Sequence, residues 1–204
     1  MEPKESILKG ALEMFLRYGI KSITMDDISR ALGVSKKTIY LYFEDKDALV
    51  SSAVKSFTDL QKDIFVKIRD ESKNALEELI KCSDYMRSNV CNINPALLYD
   101  VKKYHPKAWG IYLDYRRDSV EKTIEETLTR GINEGFFRAN LNTKILARFR
   151  IETVEMGFNT EIFPVSEYET PKVQLEFFEQ FTFGICTIKG HKLLNKYKQI
   201  HEEE

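Results

Sequence analysis

The pattern of apolar and polar positions along the chain predicts eight to ten helices and indicates no strand. The first helix carries Ile7, Ala11 and Phe15 on one face and ends near Gly19. A much longer helix begins after Asp45, which can cap it, and its apolar positions recur as far as residue 68. The fold class that this pattern indicates is all-α.

Two short helices separate the first helix from the long one. Thr24 can cap the second helix, with Asp27 three residues later, in the arrangement of a capping box. Gly33 can then take the left-handed conformation that ends a helix. Ser35 can cap a third helix, which reaches Phe43. Two short helices joined by a turn that contains glycine predict a helix-turn-helix, whose second helix enters the major groove of DNA.

Further helices are predicted beyond residue 70, most of them from a cap or a proline at their start. They are a helix over about 74–89, a short helix that begins at Pro95, a long helix from Pro106 to near Gly135, a helix from Asn142 to about Gly157, and a last long helix from Pro171 to the Lys189-Gly190 break or beyond. The stretch 158–169 shows no interpretable pattern, and residues 201–204 are expected to fray.

The third helix has two different faces. Val34, Ile39 and Phe43 are apolar and are expected to pack on the second helix. The remaining polar positions supply hydroxyl and ammonium groups and no carboxylate; they are Ser35, Lys36, Lys37, Thr38, Tyr40 and Tyr42. Serine and lysine at a helix start are also ordinary capping and solubility residues, so this pattern alone leaves open a helix pair that binds no DNA.

Composition narrows the class of protein. With 204 residues, 43% apolar, 31% charged and 12% aromatic, the chain has the profile of a globular protein. Its net charge of −1 argues against a uniformly basic nucleic-acid coat, but not against a local basic surface. Residues 1–50 hold eight Lys or Arg and eight Asp or Glu, so this region is itself neutral. The charge therefore predicts weak non-specific DNA binding rather than an absence of specific binding.

Cysteine usage and hydropathy indicate the compartment. Cys82, Cys91 and Cys186 form no CxxC pair, so neither a disulfide framework nor a zinc site is predicted. The first residues mix charges into their apolar positions, unlike a secretory signal, and no stretch is apolar enough to span a membrane. We expect a soluble, cytoplasmic protein that needs no cofactor and does not bind membranes.

The run from Ile23 to Phe43, followed by Lys46-Asp47-Ala48-Leu49, closely resembles the DNA-binding domain of TetR-family transcriptional regulators. The detailed resemblance covers about the first fifty residues, and beyond them it is architectural only. It implies a DNA-binding domain over 1–50, with the motif at about 24–43. A long fourth helix would join this domain to a helical effector-binding and dimerisation domain over 51–204.

The resemblance assigns DNA contacts to residues of the first domain. Thr24 matches a cap whose hydroxyl or backbone N–H meets a phosphate, and Lys46 matches a lysine that reaches a phosphate from the start of the fourth helix. Tyr40 and Tyr42 match aromatic residues that pack against sugar-phosphate. The positions that face bases and backbone are Ser35, Lys36, Lys37 and Thr38. Lys37 stands where the family often has a small residue, and either a guanine or a phosphate is open as its contact.

The larger domain is rich in aromatic residues, which commonly line small-molecule pockets. The pocket candidates on this basis are Tyr85, Tyr99, Tyr104, His105, Trp109, Tyr112 and Phe149. The alternative is that each aromatic residue belongs to the core and that the histidine, at a helix start, is structural. By resemblance, a partly apolar effector bound in this domain changes the separation of two DNA-reading heads.

A single recognition helix contacts too few base pairs for a selective operator, so a homodimer on a palindromic operator is expected. The last two long helices are the candidate interface, and one helical stripe of the last helix consists of Leu175, Phe178, Thr182 and Ile185. The alternative is that this stripe and the adjacent one both face the chain's own core.

These features predict a sequence-specific regulator of transcription, and the resemblance favours a repressor that a small-molecule effector releases from double-stranded DNA. Activation of transcription stays open, because whether a bound regulator activates or represses depends on where the operator lies relative to the promoter. A helical adaptor and a small-molecule-binding enzyme are the alternatives. No HExxH, GxSxG or phosphate-binding glycine loop occurs, and His105, His191 and His201 are scattered, so neither an enzyme nor a metal site is predicted.

Overall fold

The computed structural model of the protein describes residues 2–91 and 93–198. Over these residues it contains eleven α-helices and no β-strand, and one isolated bridge joins Phe137 and Cys186. The helices are α1 (Pro3–Tyr18), α2 (Met25–Leu32), α3 (Lys36–Tyr42), α4 (Lys46–Asp70), α5 (Ala75–Tyr85), α6 (Ala96–Tyr104), α7 (Pro106–Tyr115), α8 (Lys122–Asn133), α9 (Thr143–Gly157), α10 (Thr170–Ile185) and α11 (Ile188–Lys198). The all-α fold class is confirmed, with an N-terminal helix-turn-helix, a long fourth helix and a larger helical part.

Two π-helical turns interrupt helices that the sequence predicts as continuous. The turn Met86–Val90 extends α5, and the turn Arg116–Glu121 joins α7 to α8. Each π turn widens the hydrogen-bonded ring of the helix and so shifts the faces of the residues that follow. The helix predicted from Pro106 to near Gly135 is therefore divided into α7 and α8 by the π turn at Arg116–Glu121.

The described chain divides into two compact units, each with its own buried cluster. The first unit comprises residues 2–63 and 93–116, and the second comprises residues 64–91 and 117–198. Helix α4 begins in the first unit and ends in the second.

The core of the first unit lies among α1, α2, α3 and the start of α4. Ile28, Ile39 and Phe43 are buried in it, which confirms the expected packing of the third helix on the second. Val101 of α6 and Ala108 of α7 lie in the same buried cluster. By packing, α6 and α7 thus belong with the N-terminal helices, although they lie far beyond residue 50 in the sequence.

The second unit contains a buried carboxylate in its core. Glu78 of α5 is only 1% exposed and accepts hydrogen bonds from Thr127 Oγ1 (2.6 Å) and Arg130 Nη1 (3.2 Å). Arg130 also donates through Nε to Glu134 (2.8 Å) and through Nη2 to the Ser72 carbonyl (3.0 Å). These bonds connect α5 to α8 and satisfy a charge that burial would otherwise make costly.

The last long helix is not continuous, and the predicted break at Gly190 is wrong. Helices α10 and α11 are separated at Thr187, whose N–H donates to the Phe136 carbonyl at 2.9 Å. Gly190 lies inside α11, where an added Cβ would stand 2.2 Å from the Phe136 carbonyl oxygen. The glycine therefore permits a close approach of two backbone segments and does not end the helix.

The uninterpretable stretch 158–169 consists of turns between α9 and α10. The ring of Phe163 anchors it, because it packs edge-on against Tyr168 and Phe177, with ring centroids 5.3 Å and 5.6 Å away. Backbone hydrogen bonds from 162 and 163 to the Asn159 carbonyl close one of these turns. Aromatic packing rather than helix propensity thus orders this connection.

Within residues 2–91 and 93–198, no helix is long and apolar enough to cross a membrane. The three cysteines are free thiols, and burial raises the pKa of both Cys91 and Cys186 to about 11, which keeps these two protonated at neutral pH. The predicted fraying of residues 201–204, with His201, lies outside the described residues.

Candidate DNA interface

Two side-chain caps fix the starts of α2 and α3, as the sequence predicts. Thr24 Oγ1 accepts a hydrogen bond from the Asp27 N–H (3.2 Å), and the Asp27 carboxylate accepts one from the Thr24 N–H (2.9 Å). Gly33 follows α2 with φ of 65°, a conformation that favours glycine. Ser35 Oγ accepts a hydrogen bond from the Thr38 N–H at 3.0 Å. These caps hold the two helices at a defined turn.

The outward face of α3 is cationic at its start and aromatic towards its end. Lys36 and Lys37 are exposed, as are Tyr40 and Tyr42. Leu41, which the sequence reasoning did not single out, is 73% exposed. An exposed leucine beside two tyrosines gives α3 an apolar surface of the kind that contacts sugars or a thymine methyl group.

Lys36 has a carboxylate partner from the neighbouring helix. Its Nζ lies 2.5 Å from Oδ1 of Asp26 on α2, and both side chains are about half exposed. The sequence predicts that the surface facing DNA has no acidic residue; this is true of α3 itself, but α2 places Asp26 beside it. Because an exposed ion pair contributes about 0–1 kcal/mol, a phosphate can replace Asp26 at little cost.

Three predicted contacts use their hydroxyl groups within the protein. Thr24 Oγ1 donates to the Asp27 carboxylate at 2.5 Å, and hydrogen bonds from Thr24 hold the pKa of Asp27 below its ordinary value. The hydroxyls of Ser35 and Thr38 lie 2.8 Å apart and hydrogen-bond to each other. Thr24 and Ser35 thus act as helix caps, Thr38 bonds to the second of these caps, and the contact of all three with DNA stays a prediction.

Lys46 is placed differently from the expected phosphate contact. Its Nζ donates to the Ile20 carbonyl at 2.6 Å, and the residue is partly buried. Burial lowers the pKa of Lys46, and the nearby carboxylates of Asp100 and Asp47 partly offset this effect. Lys46 thus ties the start of α4 to the end of α1, and a phosphate contact requires its ammonium group to leave Ile20.

Two more contacts tie the N-terminal helices to α6 and α7. The Asp100 carboxylate accepts a hydrogen bond from the Lys21 N–H at 3.0 Å. His105 Nδ1 lies 2.5 Å from Oδ1 of Asp47 at the start of α4. We call these two contacts the head brace. Their partners are 79 and 58 residues apart, so no local sequence pattern could have predicted them.

The predicted pocket residues are divided between the two units. Tyr99, Tyr104, His105, Trp109 and Tyr112 lie in the first unit, whereas Tyr85 and Phe149 lie in the second. In the first unit, Tyr99 and Tyr104 are exposed beside the Lys103 ammonium, and Trp109 stacks on Tyr112 at 5.2 Å. In the second, Phe149 stacks on Phe181 at 6.5 Å, and Tyr85 packs edge-on against Phe65 at 5.7 Å. Ligand contacts for these residues stay a prediction.

The predicted dimer stripe on α10 faces the chain's own core, as the alternative has it. Phe178, Thr182 and Ile185 are buried within the single chain, and Leu175 is half-buried. Phe178 and Ile185 belong to the same buried cluster as Leu128 of α8. Buried residues cannot form an exposed interface, so these three are corrected to core residues.

Helix α9 carries a group of exposed apolar residues, whereas α10 has none and α11 has Ile188 and Tyr197. Ile145, Phe149 and Met156 are 64%, 52% and 37% exposed, and they are spaced by four and seven residues along the helix. This spacing places them on one face. The sequence signal was present but ambiguous, because α9 also carries apolar residues on the side that packs on α8 and α10.

Comparisons with known proteins give one consistent result. The profile of the family "Bacterial regulatory proteins, tetR family" matches residues 7–53, which run from α1 into α4. YvaF of Bacillus subtilis, an uncharacterized HTH-type transcriptional regulator, is 37% identical over 92 residues, a match that covers 43% of this chain and 47% of YvaF, about half its length. The HTH-type transcriptional repressor KstR2 of Mycobacterium tuberculosis is 24% identical over 150 residues, 72% of this chain and 75% of KstR2.

The structural likeness extends over both units. The transcriptional regulator FadR from Bacillus subtilis, solved in complex with stearoyl-CoA, has the same fold, with a TM-score of 0.66 and 20% identity over 89% of this chain and 98% of that chain. Members of the matching family are transcription factors and not enzymes, and the match is consistent with the prediction that the chain is not an enzyme. The helix-turn-helix, the matching profile and the similar relatives together support a TetR-family regulator: the family match itself covers residues 7–53, and the fold of the chain is that of FadR.

Proposed function

We propose that the protein is a transcriptional repressor that inserts α3 into the major groove of a palindromic operator. The observation that carries this proposal is the division of α3 into two faces. Ile39 and Phe43 pack into the core of the first unit, while Lys36, Lys37 and Tyr40 project to solvent. Ammonium and hydroxyl groups position a protein on phosphates, and side chains inside the groove select bases. Repression is favoured because the relative KstR2 is named a repressor.

The operator is expected to be a palindrome read by a homodimer. One seven-residue helix such as α3 reaches only a few base pairs, and a second copy doubles the contacts and matches the symmetry of the site. The exposed stripe of Ile145, Phe149 and Met156 on α9 supports a dimer, because a second copy would remove these side chains from water. Sedimentation at micromolar concentration tests the dimer, and a monomer there would refute it.

The second unit is proposed to hold a partly apolar small-molecule effector. The FadR structure was solved with stearoyl-CoA, a ligand with a long apolar chain. An effector lowers DNA affinity only if it binds the DNA-incompetent conformation more tightly. Helix α4 is the proposed lever, because it is continuous from Lys46 in the first unit to Asp70 in the second. In functional terms, residues 1–50 would read DNA, and residues 51–204 would bind the effector and dimerise.

Selection of bound sequences from random duplex DNA is the experiment that tests this function. Recovery of a palindrome is expected, and it then supplies the probe for mutants. Lys36→Ala and Lys37→Ala are expected to weaken binding; loss of a phosphate contact would reduce affinity for all sequences and flatten the salt dependence by about one unit of slope. Loss of a base contact would instead relax specificity at one position.

Lys55→Ala is the matched control. Lys55 is also an exposed lysine with an aspartate partner, Asp59 at 2.9 Å, but it lies well along α4 from the start of that helix. Its substitution is expected to leave operator affinity unchanged. If Lys36→Ala and Lys37→Ala both bound the operator as the wild type does, the assignment of α3 to the groove would be refuted.

A further inference from the structure

Arg150 of α9 carries a guanidinium group in an apolar environment inside the second unit. Its Cζ lies 5.7 Å from the ring centroids of both Phe178 and Phe181, two core residues of α10. Its Nη1 is buried and has no hydrogen-bond partner within the described residues. Guanidinium groups do stack on aromatic rings, but rings leave the N–H donors of the group unsatisfied.

The group is charged at neutral pH. Burial lowers the pKa of Arg150 to about 10, which is still well above 7. The neighbour that opposes this effect is Cys82, and burial raises the pKa of that thiol to about 12, so it is uncharged. Arg150 is therefore a partly buried cation, with Nη1 fully buried, beside a neutral thiol.

The nearby buried carboxylate is already occupied. Glu78 contributes to the pKa of the Cys82 thiol, but its two oxygens accept from Thr127 and Arg130. Arg130 is in turn paired with Glu134 at 2.8 Å. Arg148, two residues before Arg150, is exposed and pairs with Glu121 at 3.1 Å. Arg130 and Arg148 thus have carboxylate partners and exposed Arg138 donates to the Gly184 carbonyl, whereas Nη1 of Arg150 is buried without a partner among the described residues.

An unpaired buried charge is costly, so proteins seldom keep one without a ligand for it. A guanidinium fork matches a carboxylate, because both groups are planar and form two parallel hydrogen bonds, and the single negative charge of a carboxylate balances the single positive charge of Arg150. The rings of Phe178 and Phe181 supply an apolar contact next to the charge, and Phe149 stacks on Phe181.

We propose that Arg150 binds the carboxylate of an acidic effector with an apolar body. The proposal rests on the proposed function only in calling this ligand the effector, since binding itself can be measured without DNA. The ligand class is an apolar organic acid, and its acid group replaces the partner that Arg150 lacks.

The test compares probes that share an apolar body and differ in the head group. Octanoate, octanamide and octyl phosphate form one series, and 3-phenylpropionate and 3-phenylpropanamide form a second. Binding is measured by calorimetry and by the shift in melting temperature of the full chain. For the wild type, we expect a carboxylate of at least one series to bind at least tenfold more tightly than its amide, and stronger binding of octyl phosphate would assign the site to phosphate esters and overturn the carboxylate.

Substitutions separate a ligand site from a structural role. Arg150→Met is expected to abolish the preference for the acid while leaving the melting temperature of the free protein equal to or above that of the wild type, because it removes an unpaired buried charge. Arg150→Lys keeps the charge and is expected to retain part of the preference. Arg148→Met, the matched control, is expected to bind the acids as the wild type does.

The outcomes are distinguishable from failure of the proposed function. If no acid in the panel binds in a manner that depends on Arg150, or if Arg150→Met lowers the melting temperature of the free protein, the proposal is overturned and Arg150 is structural. If the acids bind through Arg150 but leave operator affinity unchanged, the site stands and effector release is refuted.

Discussion

The ion pair between Lys36 and Asp26 predicts that removing the acid strengthens DNA binding. Lys36 must exchange the Asp26 carboxylate for a phosphate when α3 enters the groove, since its Nζ lies 2.5 Å from that carboxylate in the free protein. Asp26→Asn removes the competitor and one negative charge from the surface that meets DNA. We therefore expect the variant to bind the selected operator more tightly than the wild type.

The size of the effect follows from the exposure of the pair. With both side chains about half exposed, the pair is worth about 0.2–1 kcal/mol. A homodimer breaks two copies, so the gain is about 0.4–2 kcal/mol, which corresponds to about 2-fold to 30-fold in affinity. The variant also loses a favourable charge near the N-terminus of α2, and we expect it to be about 1 kcal/mol less stable.

The assay is fluorescence anisotropy with labelled operator over a range of salt concentrations. The gain is expected to be largest at low salt and to be smaller in the Lys36→Ala background, because only the removal of the negative charge still acts there and the competition for Lys36 no longer exists. Asp59→Asn is the control, since it breaks the comparable pair with Lys55 on α4 and should change nothing. Weaker operator binding by a folded Asp26→Asn variant, or an equal gain in the absence of Lys36, would refute the reasoning.

Two further predictions concern the second unit. Arg130→Met leaves the buried Glu78 without its cation, and we expect the unfolding free energy at pH 7, measured in denaturant, to fall by about 2–4 kcal/mol. A fully buried pair would lose about 3–5 kcal/mol, and the loss here is smaller because Arg130 is one-third exposed. Burial raises the pKa of Glu78 above its ordinary 4.5, so the stabilisation that its protonated form contributes is complete below pH 4.5 and is lost as the pH rises through the folded-state pKa. The loss of unfolding free energy in Arg130→Met should therefore become smaller towards pH 4.5, where Glu78 is protonated and needs no cation. A loss that does not change with pH would contradict this reasoning. Gly190→Ala places a Cβ 2.2 Å from the Phe136 carbonyl oxygen and should cost more than about 2 kcal/mol, whereas Gly184→Ala in α10, where a Cβ meets nothing within 4 Å, should be neutral or stabilising by up to about 1 kcal/mol. Equal melting temperatures for these two glycine variants would refute the packing argument.

Local signals in the sequence were sufficient to predict the DNA-reading helices. Thr24, Gly33 and Ser35 act on their own neighbours within four residues, so α2 and α3 could be bounded from the sequence alone. The same holds for Asn142, which caps α9 by accepting from the Ile145 N–H at 3.1 Å.

Contacts between distant segments could not be predicted in the same way. The sequence predicts a helix break at Gly190, yet a glycine is needed there because the backbone of Phe136, more than fifty residues away, approaches it closely. Lys46 reads as a phosphate contact, yet its ammonium group meets the Ile20 carbonyl. The stripe with Phe178 reads equally well as core or interface, because helical spacing shows that a face is apolar and does not show what covers it.

The head brace has a consequence for building hybrid regulators. Asp47 and Lys21 have their partners, His105 and Asp100, in a segment that comes much later in the chain. A transplant of the first fifty residues onto another sensor would leave both contacts open and would uncover the buried side that Val101 closes. The portable module is therefore discontinuous, and it consists of residues 2–63 together with residues 93–116.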